Sequence, residues 1–325
     1  MKVIQARSIR KVLDHSTLIL FAAIVITFGF LSSQFFTFQN LSNILIQSSS
    51  LAIIATGMTF VLLTAGIDLS VGSTMFLAGV VSAKMVAWGS PLWLACVTVL
   101  LVGTLYGLVN AFFIYRFKII PFIVTLATFY VGRGFGLFLS ETRAMNLPEG
   151  FLKIGSVSIL GIPFPVLVLG VVILSAHLAL SKTQFGRQIY AVGNNAEKAR
   201  KAGMPVDRIL LSVYLICGFC AALGGLVAIA QLGAVSPTFG KQSEFMAIAA
   251  AILGGTSLFG GKGNVFPGTL IGAVTIQSIQ NGLVIVNANP YLYPLITGAV
   301  IFLIVLIDSL RHMQEVKSRR LGASF

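Results

Sequence analysis

Residues 92–115 read LWLACVTVLLVGTLYGLVNAFFIY, a run without one charged side chain, closed by Arg116 and Lys118. A helix rises about 1.5 Å per residue, so about 20 mostly apolar residues cross the hydrocarbon core of a bilayer. The run is long enough, and too apolar on every face to sit half in water. It predicts a transmembrane helix. Outward from it the chain holds nine more such runs: Ser16–Leu31, Asn43–Thr64, Leu69–Ala87, Ile119–Leu139, Pro163–Leu180, Ile209–Leu232, Phe245–Leu258, Val265–Val286 and Tyr291–Ile307. Phe245–Leu258 is short and is expected to be re-entrant or only partly spanning. The expected fold is all-α: one polytopic membrane domain over residues 1–325, of about ten transmembrane helices.

Composition agrees. Of 325 residues 57% are hydrophobic and 10% charged, and the mean hydropathy is +0.96. A soluble domain carries roughly 25% charged residues. The net charge of +13 would otherwise suggest nucleic acid, but the basic residues cluster in the gaps between apolar runs, the positive-inside pattern. With the N-terminus inside, ten spans return the C-terminus inside. Of the 22 Lys and Arg, only Arg143, Lys153 and Lys241 then fall outside, while Lys84 and Arg133 lie within spans. The first apolar run follows a basic, polar start, is long for a signal peptide and lacks a clear cleavage site, so it is expected to be the first span. Cys96, Cys217 and Cys220 sit in apolar runs, and the three histidines are scattered. Neither a disulfide framework nor a metal site is expected.

A weak internal repeat is present. Gly66-x-x-Leu69-x-x-Gly72 recurs as Gly255-x-x-Leu258-x-x-Gly261, and Gly79 and Gly268 match at the same offset. Both copies fall at an expected inside turn, which makes the repeat parallel. Chance competes, since the chain has 33 glycines. Transporters are often built from repeated halves with Gly-interrupted helices and a substrate path between them.

The longest polar stretch is 182–208, KTQFGRQIYAVGNNAEKARKAGMPVDR, on the inside. Its middle reads as a helix: Asn194 or Asn195 as cap, Ala196 to Ala202 as good helix formers, Gly203 as terminator and Pro205 beyond. A capped helix between two spans reads as a docking element, with Ala199, Ala202 and Gly203 as its small-residue face. The alternative is a solvated loop. A tail over 310–325 is also expected inside.

Three motifs carry a resemblance. Thr183-x-Phe185-Gly186-Arg187-x-Ile189-Tyr190-Ala191-Val192-Gly193-x-Asn195 with Ala199 and Gly203, Gly66-Ile67-Asp68-Leu69-Ser70-Val71-Gly72-Ser73 after Gly57-Met58-Thr59, and Leu253-Gly254-Gly255-Thr256-Ser257-Leu258-x-Gly260-Gly261-Lys262-Gly263 resemble, in order and over most of the chain, ribose-type sugar permeases of ATP-binding-cassette importers. The resemblance implies a bacterial inner-membrane permease that pairs with a second copy or a paralogue, binds a cytoplasmic ATPase and receives a ribose-like pentose or hexose from an extracytoplasmic binding protein. It implies coupling to the ATPase through Gly193, Asn194, Asn195, Ala199, Ala202 and Gly203.

The chain is not expected to be an enzyme or to bind a cofactor; ATP and Mg belong to the partner ATPase. Gly255, Gly260 and Gly261 fail the phosphate-loop pattern, with Gly261 where Lys is required and Gly263 after Lys262. Gly66, Gly72, Gly254, Gly255, Gly260 and Gly261 instead suit structural turns that break helices. Asp68, before the third span, reads first as a helix cap shared with Ser70, and otherwise as a functional acid. Arg133 either holds helices together or lines the path. Asn43, Gln47, Gln277 and Asn281, with Asp68 and Ser70, are the candidates for a path suited to a neutral, hydroxyl-rich solute; interhelical hydrogen bonding is the alternative use of the same groups. The rival functions are an ion-coupled secondary transporter, for which Asp68 alone is thin support, a same-family permease for branched-chain amino acids or nucleosides, and a membrane scaffold.

Overall fold

The computed structural model describes residues 16–322. In chain order it comprises α1 (Ser16–Leu31), α2 (Phe38–Leu63), α3 (Val71–Ala87), α4 (Leu92–Phe117), α5 (Pro121–Ser140), β1 (Met145–Asn146), α6 (Glu149–Ser156), β2 (Ser158–Ile159), β3 (Ile162–Pro163), α7 (Phe164–Lys182), α8 (Gln184–Asn194), α9 (Ala196–Lys201), α10 (Val206–Leu232), β4 (Ala234–Val235), α11 (Ser243–Leu253), a π turn at Val265–Thr269, α12 (Leu270–Ile285), a 3-10 turn at Pro290–Leu292 and α13 (Tyr293–Gly322). The strands form two minimal antiparallel pairs, β1 with β4 and β2 with β3, in the connections at one end of the helices.

The fold is mostly helical, but the helix count exceeds the expected ten. Every expected span contains a helix, though not all are helical to their ends. Six segments are long and apolar enough to cross a membrane: Phe38–Leu63, Leu92–Phe117, Pro121–Ser140, Phe164–Lys182, Val206–Leu232 and Val265–Ile285. Four apolar helices are shorter: Thr17–Leu31, Val71–Ala87, Ser243–Leu253 and Pro290–Leu306. The additional helices are α6, α8 and α9, too short or too polar to be read as spans. Phe245–Leu258 was expected as one run, yet α11 stops at Leu253 because Gly255 takes φ +91°, a conformation that costs glycine nothing. The expected inside residues Lys2, Arg7, Arg10 and Lys11 lie outside the described residues, as does the end of the expected tail; 310–322 continues α13.

The core is organised around α10, which packs against α4, α2 and α3. Helices in lipid gain little from hydrophobic exclusion and associate through close packing of small residues. A β-carbon at Gly107 would strike the Tyr214 carbonyl, and one at Gly218 would strike the Gly103 carbonyl. Thus Gly103 and Gly107, four apart on α4, let α10 approach backbone to backbone. The hydroxyl of Ser50 donates to the Gly224 carbonyl (2.8 Å), and Gln231 Nε2 donates to the Ile46 carbonyl (3.1 Å). These bonds tie α2 to α10 where neither partner has water to turn to.

Candidate functional site

Three polar regions hold the expected residues. The first lies at the end of the molecule occupied by the 182–208 segment. This segment forms two helices rather than the one expected. Thr183 caps α8, its hydroxyl accepting from Gly186 N (3.2 Å), and Asn195 caps α9, its side chain accepting from Lys198 N (2.8 Å). Gly203, at φ +80°, follows α9. Helix α8 is amphipathic: Ile189, Val192 and Gly193 are buried, while Gln184 and Arg187 are exposed.

Its buried face meets the turns of both repeat copies. Gly261 N donates to the Leu63 carbonyl at the end of α2 (2.9 Å), and a β-carbon at Gly193 would run into both atoms of that bond. One at Gly260 would meet the Gly193 carbonyl and Ala65, and one at Gly261 would meet the Asn194 side chain. The Tyr190 hydroxyl donates to the Gly263 carbonyl (2.9 Å), and burial pushes that hydroxyl above its ordinary value. The expected small-residue docking face is not one surface: Gly193 and Ala199 are buried inside the protein, whereas Asn194, Asn195, Ala202 and Gly203 are exposed. The motif copies also differ in shape. Gly66 precedes α3 and Gly72 lies in it, but Gly255, Gly260 and Gly261 all lie in the longer turn before α12, with Gly254 at the end of α11.

The second region is the turn between α2 and α3. Asp68 is buried, and its Oδ1 accepts from Ser70 N (2.8 Å) and Ser70 Oγ (2.6 Å). Asn110 Nδ2 on α4 donates to Ser70 Oγ (2.7 Å), and Thr128 Oγ1 on α5 donates to Asn110 Oδ1 (2.7 Å). The Thr128 carbonyl accepts from the Tyr106 hydroxyl. Ser70 directly precedes α3 but is already helical (φ −79°, ψ −9°) and makes no side-chain capping bond, while Asp68 accepts from the backbone N two residues on, the bond an N-terminal cap makes. A lone carboxylate in such a turn satisfies its own backbone first.

The third region joins α2 to α12. Gln277 Nε2 donates to Gln47 Oε1 (2.9 Å), Asn281 Nδ2 donates to Asn40 Oδ1 (2.9 Å), and Gln39 Nε2 lies 3.4 Å from Asn43 Oδ1. The four expected path amides are thus engaged in amide bonds, Gln47, Gln277 and Asn281 between helices and Asn43 along α2, while Gln47 stays exposed.

Arg133 also finds its partners. Its Nη1 donates to the Phe239 carbonyl (2.7 Å), and the guanidinium lies over the Phe76 ring at 4.8 Å. Both contacts join α5 to other elements, which meets the helix-holding expectation. Sequence reasoning missed Tyr190, Asn110, Thr128 and Glu244. The spacing of Phe185, Ile189 and Val192 signalled the amphipathic α8, and an acid within SEFMAIAAAIL signalled Glu244. Cys217 and Cys220 are free and buried, and among the described residues no group of three or more His, Cys, Asp or Glu could hold a metal.

The architecture is a bundle of apolar helices carrying a polar helical module at one end. Residues 40–305 match the family model described as branched-chain amino acid transport system / permease component. The chain is 38% identical to the ribose import permease protein RbsC of Haemophilus influenzae, over 92% of this chain and 94% of that protein. It is 38% identical to the D-allose transport system permease protein AlsC of Escherichia coli, over 91% of each. It is 32% identical to the xylose transport system permease protein XylH of Escherichia coli, over 92% of this chain and 93% of that protein. No solved structure matches it. With a family match across most of its length and sugar permeases aligned nearly end to end, the chain belongs to the branched-chain amino acid transport system / permease component family.

Proposed function

We propose that this chain is the membrane permease subunit of an ATP-driven importer that carries a monosaccharide, a ribose-like pentose or a hexose, into the cytoplasm. Ribose, allose and xylose permeases aligned over about nine-tenths of the chain supply the cargo class. The observation that carries the mechanism is the packing of α8 on the turns of both repeat copies. A helix pushed at that point moves the ends of α2 and α11 together.

In this reading the six long and four short apolar helices make ten crossings of one domain over residues 1–325. Both termini, the 182–208 segment and the 310–325 tail face the cytoplasm of a bacterial inner membrane, following the basic residues. A cytoplasmic ATPase subunit binds ATP and Mg and docks on the exposed Asn194, Asn195, Ala202 and Gly203, while Gly193 and Ala199 carry the force inward. The permease itself holds no nucleotide and does no catalysis. A second permease copy or paralogue completes the path, and an extracytoplasmic sugar-binding protein delivers the cargo. Gln47 supports a path along α2 and α12: an exposed amide on a spanning helix is poorly suited to lipid and well suited to water or a sugar hydroxyl. Asn43, Gln277 and Asn281 lie on the same helices. Asp68 and Ser70 shape the turn that α8 abuts.

The test is uptake of a radiolabelled pentose or hexose by proteoliposomes holding this chain, an ATPase partner and a binding protein. ATP-dependent uptake that disappears with Gly203→Asp on the exposed docking surface supports the reading. Uptake driven by an ion gradient without the ATPase defeats it.

A further inference from the structure

Two side chains of opposite charge, Arg133 on α5 and Glu244 on α11, interact electrostatically inside the membrane domain. Glu244, in the first turn of α11, is 5% exposed, and its Oε2 is buried without a hydrogen-bond partner. Arg133 on α5 uses Nη1 for the Phe239 carbonyl, but its Nη2 is likewise buried without a partner. The two side chains act on each other electrostatically, yet no ion pair joins them.

Between them lies the start of α3. Phe76 carries the guanidinium on its ring, and a β-carbon at Gly72 would strike both Glu244 Oε2 and the Gly240 carbonyl. A β-carbon at Gly240 would come within 2.5 Å of the Gly72 carbonyl. Gly240 therefore lies backbone to backbone on Gly72 of α3, with Arg133 holding the adjacent Phe239 carbonyl and Glu244 Oε2 packed against Gly72. This contact sits at the end of α11 away from the turn that meets α8. It joins a helix pair from the first half of the chain to one from the second.

A buried polar atom left without a partner is costly, and an ionisable group inside a membrane domain is a functional candidate by default. Resting on the permease reading above, we propose that Arg133 and Glu244 are positioning residues for translocation: together they latch the 236–242 segment onto α3 and α5, closing the passage at the end of the protein away from α8. Opening releases the Phe239 carbonyl from Arg133. The free Nη2 and Oε2 then let the guanidinium turn towards Glu244, so its charge is never left without an acceptor.

The experiment needs neither ATPase nor ATP. Sugar leak is measured into liposomes holding the permease alone, and an impermeant maleimide is applied to Phe239→Cys, with rates taken relative to protein lacking that cysteine. Arg133→Met is expected to raise both the leak and the labelling several-fold in protein that still elutes as one folded species. Arg133→Glu, which offers the Phe239 carbonyl no donor, should do the same. Labelling and leak unchanged by Arg133→Met or by Arg133→Glu would overturn the latch. Should Arg133→Met not fold, Arg133→Lys, which keeps the charge but loses the forked donors, is read by the same labelling. Loss of ATP-driven uptake in the parent would instead count against the importer reading, which these two rates do not depend on.

Discussion

Gly193→Ala should disconnect α8 from the transport domain. The added β-carbon would sit 2.5 Å from Gly261 N and closer still to the Leu63 carbonyl, whereas ordinary contact begins at 3.4 Å. Every offending atom is backbone, so no side chain can rotate away. The Gly261–Leu63 bond of 2.9 Å must open by about 1 Å, beyond useful hydrogen-bonding distance. Each buried polar group left without its partner costs about 1–3 kcal/mol, so the pair costs on the order of 2–4 kcal/mol after relaxation. A chain of this size loses about 2–4 °C of melting temperature per kcal/mol. The apparent melting temperature in detergent should therefore fall by about 5 °C or more, and ATP-driven uptake should fall much further than ATPase activity in the reconstituted complex. Gly203→Ala is the contrast: no atom lies within 4 Å of its β-carbon, so only the strain of its positive φ remains, about 1 kcal/mol. If Gly193→Ala melts within about 1 °C of the parent and transports normally, the junction does not carry the force.

Tyr190→Phe removes the hydroxyl bonded to Gly263 and should cost about 1 kcal/mol by thermal unfolding. Burial raises that hydroxyl's pKa above its ordinary 10.0, so the folded state favours the neutral form. The contribution should be constant from neutral pH to about 10 and decline only above it; a difference between the two proteins that changes between pH 6 and 8 would contradict this. Asp68→Asn keeps an oxygen for the Ser70 amide and should retain most ATP-driven uptake, while Asp68→Ala should be destabilised; complete loss of uptake in a stable Asp68→Asn protein would favour an ion-coupled carrier. Asn110→Ala breaks the link between Ser70 and Thr128, leaves the Thr128 hydroxyl only the Thr125 carbonyl, and should lower stability by about 1 kcal/mol, read as a lower melting temperature, with no change implying that the Ser70–Thr128 chain is idle. Gly107→Leu should do the same by forcing α4 from α10, at about 1–3 kcal/mol or more.

Much of the fold was legible because lipid leaves few options. A charge-free run such as 92–115 has no other low-energy home, and each expected run contains a helix. What stayed hidden depended on contacts far apart in sequence. The bond between Leu63 and Gly261 gives no local signal, and neither does the approach of Arg133 to Phe239. Helix α8 was readable from Phe185, Ile189 and Val192, but its three glycine and asparagine positions suggested a loop. Asp68 was readable as a cap from its place before the apolar run at Leu69, but its bond to the Ser70 hydroxyl and the chain from there through Asn110 to Thr128 were not. The path amides were found by type, yet type cannot separate a sugar-facing Gln47 from the Gln47–Gln277 bond that holds α2 to α12.

In the proposed importer, ATP hydrolysis on a partner subunit drives sugar through this chain. Proteoliposomes holding the permease, its ATPase and a sugar-binding protein should accumulate a labelled pentose or hexose only when ATP is present on the ATPase side, and should be indifferent to ionophores. Accumulation without ATP that collapses when an ion gradient is dissipated would contradict the account.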